Sequence, residues 1–98
     1  MTKDGDRIPS LAALEEAHAF PGRYVIKVFG PVDAAWVAQV VRAADEVTGL
    51  QGHVRHSVRE SSGGKHACVT LDVYVQTAHQ VQAIYAELLT LPAVRMLL

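Results

Sequence analysis

Cysteine occurs once in the 98-residue sequence, at Cys68. A lone cysteine excludes an internal disulfide and fits a reducing cytoplasm. Net charge is equally scarce: nine Lys and Arg stand against ten Asp and Glu, a formal net charge of −1. Bulk electrostatic binding to nucleic acid is therefore not expected. No apolar run approaches the ~20 residues that a membrane-spanning helix needs. The opening MTKDGDR lacks the apolar stretch of a secretory leader. Disorder is excluded beyond the termini, because half of the residues are apolar. A chain of this length buries roughly two-thirds of its unfolded surface, enough for one domain without staples.

What is present is a set of short periodic segments. His66 to Val75, HACVTLDVYV, alternates strictly. Ala67, Val69, Leu71, Val73 and Val75 take one side, and His66, Cys68, Thr70, Asp72 and Tyr74 the other, which predicts a half-buried strand. Met1 to Ala19 is expected to form a partly disordered arm, with Ser10 capping a short helical stretch that Phe20-Pro21-Gly22 stops. Arg23 to Phe29 is a strand with Ile26 and Val28 inward, and Pro31 forces the chain to turn after it. Asp33 caps a helix that runs to about Thr48, with Gly49 after its end. Val37, Val40, Val41, Ala44 and Val47 form its stripe, and Trp36 reads as a core plug beside them. His53 to Glu60 is a strand, Ser61 to Gly64 a turn. Thr77 and Gln80 form a capping box for a helix that buries Val81, Ile84, Tyr85 and Leu88. Val94 to Leu98 is a last strand.

The order is β-α-β-β-α-β after the arm. That is an α+β, ferredoxin-like two-layer sandwich over residues 20–98: a four-stranded antiparallel sheet with both helices on one face. A turn centred on Ser62-Gly63 pairs Val58 with Ala67, Arg59 with His66 and His53 with Asp72. Parity excludes a slip of one residue but not of two.

The second face of the sheet has no helix to cover it. Parity places Arg23, Lys27, Arg55, Arg59 and Arg95 there, with Asp72 as the one acid. Two readings stand: a solvated face, as antiparallel sheets often leave, or a basic surface for an acidic partner, a small anion or a nucleic-acid backbone. Val25, Phe29, Tyr74 and Leu97 on the same face would instead support a homodimer.

Other chemistry fares worse. RNA recognition on such a sheet uses stacking aromatics on the middle strands, where this chain has His66, Cys68 and Thr70. Ser61 to Lys65 lacks the first Walker glycine and enters a strand rather than a helix. His66, Cys68, His53 and Asp72 lack a closed four-ligand spacing for zinc. No nucleophile with a base and no carboxylate pair is apparent. Acylphosphatases share the topology, but the Phe29–Asp33 loop has a proline and no arginine to hold phosphate. No catalytic residue, metal or cofactor is expected.

Phe20 to Gly30, FPGRYVIKVFG, resembles the FP-x-x-[FY]-x-x-K-V-[MF]-G opening of the YbeD-like proteins. Ser61 to Thr70, SSGGKHACVT, is similar to that family's serine-glycine hairpin, and Val94 to Leu98, VRMLL, to its V-R-M-V-L ending. The resemblance implies a small bacterial ferredoxin-like domain similar to ACT-type regulatory domains, with no assigned catalytic residues. Genes of the family often neighbour lipoate-synthesis genes. By the same resemblance, a ligand would sit at the first strand-helix loop, Gly30, Pro31, Val32 and Asp33. The expected role is a non-catalytic regulatory or interaction module, with an anion- or nucleic-acid-binding module as the alternative.

Overall fold

The computed structural model describes residues 7–49 and 54–98. The elements run α1 (Leu11–Ala17), β1 (Gly22–Gly30), α2 (Ala34–Thr48), β2 (Arg55–Glu60), β3 (Ala67–Val75), α3 (Ala78–Thr90) and β4 (Met96–Leu97). The antiparallel sheet has the order β2-β3-β1-β4, so the two most apolar strands are central. This is the ferredoxin-like arrangement expected from the sequence. The expected start of β2 at His53 and residues 1–6 of the arm lie outside the described residues, while Asp72, expected opposite His53, pairs with Arg55 instead.

Alternation does the sorting. Tyr24, Ile26 and Val28 of β1 and all five odd-numbered residues of β3 are buried. They meet Val40, Ala43 and Ala44 of α2 and Val81, Ile84, Tyr85 and Leu88 of α3. Leu71, fully buried, sits at the centre of this layer. Burial pushes the Tyr85 phenol far above its ordinary pKa, and a hydrogen bond to Tyr24 adds to the shift. Val37 and Val41 remain only half-buried. The helix axis is turned so that Trp36, Val40, Ala43 and Ala44 point down, and the expected stripe is rotated accordingly.

The helix ends follow the expected chemistry. Ser10 Oγ accepts from Ala13 N at 3.1 Å and Asp33 Oδ1 from Ala35 N at 2.8 Å. Gly49, in the left-handed region, closes α2 by donating to Asp45 O. Thr77 Oγ1 accepts from Gln80 N, but Gln80 Oε1 accepts from Gln76 N, one residue before the cap. α1 packs on α3, where Leu14 is buried and Gln82 Nε2 donates to Pro9 O at 2.9 Å. Phe20 lies partly buried against the core.

Two strand registers differ from the sequence reading. Val58 pairs with Val69, Arg59 with Cys68 and Glu60 with Ala67, so the hairpin is displaced by two residues with its parity intact. The turn is centred on Gly63-Gly64, both at positive φ. Glycine carries no Cβ penalty in that region, so the tightest bend settles on the pair rather than on Ser62-Gly63. Ser61 completes it: Ser61 N donates to His66 O, and Ser61 Oγ accepts from His66 N. In β4, Met96 pairs with Phe29 and Leu97 with Val28. Met96 therefore lies on the open face and Leu97 against the core, the reverse of the expectation for Leu97.

Candidate functional site

The uncovered sheet face is laid out in rows by the strand registers. One row reads Arg59, Cys68, Phe29, Met96; the next Ser57, Thr70, Lys27; the next Arg55, Asp72, Val25; the last Tyr74 and Arg23. Neighbouring strands lie ~4.8 Å apart, so these side chains share a patch about 15 Å across. Arg23, Lys27, Arg55 and Arg59 thus come together as parity predicts.

Their partners separate them. Arg23 Nε lies 3.1 Å from Asp72 Oδ1, a half-exposed ion pair that uses the face's one carboxylate among the described residues. Lys27 Nζ donates to Thr70 Oγ1 at 3.3 Å, a contact that leaves its charge uncompensated. Arg55 and Arg59, on the edge strand, are exposed. Val25, Tyr74 and Met96 are also exposed and lie among these cations. The surface is therefore amphipathic: an apolar strip on β1, β3 and β4, flanked by unneutralised charge.

Arg95 stands at the end of this patch beside Phe29 and Met96, but its charge is held by local acceptors. Its Nη1 donates to Lys65 O at 3.1 Å and contacts Gly30 O and His66 Nδ1. The guanidinium is spent on tying the β2–β3 turn to the end of β1. The backbone explains this: Arg95 N donates to Phe29 O, although Met96 is the residue paired with Phe29, so both oppose Phe29 and the long Arg95 side chain reaches carbonyls at the sheet's end. His66, engaged there, precedes β3 and lines a small pocket together with Cys68, Phe29 and Arg59. His53 lies outside the described residues.

The loop Gly30–Asp33 is shaped by packing. Gly30 is buried under the Trp36 indole, and Trp36 itself is 4% exposed. Asp33 is committed to capping α2. Val32 is exposed and, with Asp33, Ala34, Val37, Val58, Glu60 and Ala67, lines an open groove of about 400 Å³. Pro31 is not part of that lining. The groove continues along α2 past Ala38 and Val41 to His56. Sequence reasoning missed it, although β2 held the signal. Its helix-side positions are His56, Val58 and Glu60, too polar for a strand face that a helix covers.

A family model described as "Protein of unknown function (DUF493)" matches residues 15–98. The chain belongs to this family. YbeD-like proteins are members of it too. The match begins at Glu15, inside α1, so the C-terminal end of that helix is included with the sandwich it braces. Comparison with curated proteins gives no match. No helix among the described residues is long and apolar enough to cross a membrane.

Proposed function

We propose that this chain is a non-catalytic interaction module that docks an acidic partner on its open sheet face. One observation carries the reading. Four cations meet a single carboxylate on that face, in a chain whose formal net charge is −1. Like charges so placed repel each other and add nothing to the sheet. An acidic ligand relieves the repulsion, and the exposed Val25, Tyr74 and Met96 add apolar area beside it. The lone Cys68 supports a cytoplasmic setting as part of the same proposal.

The test is binding of a glutamate-rich peptide, followed by fluorescence anisotropy at low and physiological salt. Replacing Arg55 and Arg59 together by Gln is expected to leave the denaturation midpoint nearly unchanged. It should weaken binding by roughly tenfold, with the difference shrinking as salt rises. Equal binding by the double variant and wild type at low salt would make the face a solvated surface.

A second reading has its own support. The groove beside Val32 and Asp33 has an apolar floor and two carboxylates at its rim. This geometry suits small-ligand sensing in the manner of ACT domains. Thermal-shift screening against amino acids, lipoyl compounds and nucleotides tests it, and a Val32→Asp variant should abolish any shift found there.

A further inference from the structure

We infer that β2 pairs with β2 of a second copy of this chain, antiparallel about a two-fold axis at Val58. Among the described residues, no strand covers the outer edge of β2, and all six of its residues are exposed. An open edge is a template for another strand unless something blocks it. Arg55–Glu60 contains no proline.

Hydrogen-bond parity fixes what the edge offers. Ser61 N donates to His66 O, so Ser61 is in a hydrogen-bonded pair with β3. Alternation then turns the amides and carbonyls of Arg59, Ser57 and Arg55 toward β3. Those of Glu60, Val58 and His56 point away from the sheet, unpaired by any described strand.

Charge selects the register and the occupant. An axis at Ser57 would set Arg55 against the partner's Arg59. An axis at Arg59 would set two arginines opposite each other. An axis at Val58 does neither. Arg59 then faces Ser57 of the partner subunit, and Arg55 faces its Ser61. On the helix side, His56 meets the partner's Glu60, and the two Val58 side chains, each 46% exposed, cover each other. Opposite charges and apolar pairs across strands stabilise such a ladder, and like charges destabilise it. The three outward residues of each copy meet as hydrogen-bonded pairs. This register keeps the arginines apart and sets each Glu60 carboxylate, an acceptor, opposite a His56 ring.

The experiment is sedimentation equilibrium of the full chain. Wild type is expected to show a reversible monomer–dimer equilibrium. Glu60→Lys removes the carboxylate that accepts from His56 across the interface, and His56→Glu sets two carboxylates opposite each other; each should raise the dimer Kd about tenfold. The double variant His56→Glu/Glu60→Lys restores complementarity with the signs exchanged, and should recover wild-type association. Val58→Pro removes an amide that points outward, so β2–β3 pairing survives, as circular dichroism will show, while the dimer is lost. A monomeric wild type, a double variant weaker than either single one, or a folded proline variant that still dimerises would each overturn the proposal.

Discussion

Gly30→Ala is the perturbation that most directly probes how the sandwich holds its first loop. A methyl group is normally welcome in place of glycine, since it narrows the unfolded ensemble and stabilises by about 0.4–1 kcal/mol. Here a Cβ on Gly30 would stand 2.5 Å from Trp36 Cη2 and 2.8 Å from Cε2, and closer still to Cζ2. The ring has little room to yield, because Trp36 is 4% exposed and packs with Val40 and the sheet. Overpacking of this kind costs about 1–3 kcal/mol. Contact with three rigid ring carbons points to the upper part of that range, so the net loss should be about 2 kcal/mol. For a domain of this size, that lowers Tm by roughly 10 °C. Urea titration followed by fluorescence of the single tryptophan measures the change. The decisive control is Trp36→Leu, which removes the ring and is destabilising on its own by the loss of a large buried side chain. In that background Gly30→Ala should cost little, because the clash is gone, and circular dichroism replaces fluorescence as the probe. A Gly30→Ala protein as stable as wild type, or an unchanged cost in the Trp36→Leu background, would refute the packing argument.

Two further outcomes are expected. Leu71→Ala should destabilise by roughly 2–5 kcal/mol, since Leu71 is fully buried in a central strand; a denaturant titration showing less than about half a kcal/mol would contradict its placement. Stability should also fall in alkali. The folded state holds the Tyr85 proton more tightly than the unfolded state, whose phenol ionises near its ordinary 10.0. The contribution is therefore complete below that pH and declines as pH rises above it. Tyr85→Phe should flatten this alkaline decline in a pH series of urea midpoints, and an undiminished decline would assign it to other groups.

The layers of this fold were legible because each local signal agreed with the next. Val69, Leu71 and Val73 alternate with polar residues. Ser10, Asp33 and Thr77 stand where caps belong. The open face was legible for the same reason, since parity alone brings Arg23, Lys27, Arg55 and Arg59 together. What parity cannot distinguish is a shift of two residues, and there the hairpin reading went astray. Only the backbone preference of Gly63-Gly64 over Ser62-Gly63 separates the two alternatives. In Val94–Leu98 four of five residues are apolar, so alternation carries almost no contrast. Leu97 was consequently placed on the wrong face. The Arg23–Asp72 pair spans adjacent rows of β1 and β3, and the reduction of the free cations to Lys27, Arg55 and Arg59 depends on that inter-strand geometry.

The β1–α2 loop is held at both ends, with Gly30 wedged beneath the Trp36 ring and Asp33 bonded to the first amides of α2. Pro31 stiffens the short span between them. Such a segment behaves as a rigid jig. Whatever seats against Val32 finds the surface already in its bound shape, and little chain entropy is lost on contact. The same stiffness limits what the loop can report. It has no slack with which to fold over an occupant, so any adjustment at this corner must be made by α2 moving as a unit. For the ligand site proposed at this corner, discrimination would rest on fit, and loosening either anchor should broaden what it accepts before it weakens what it holds.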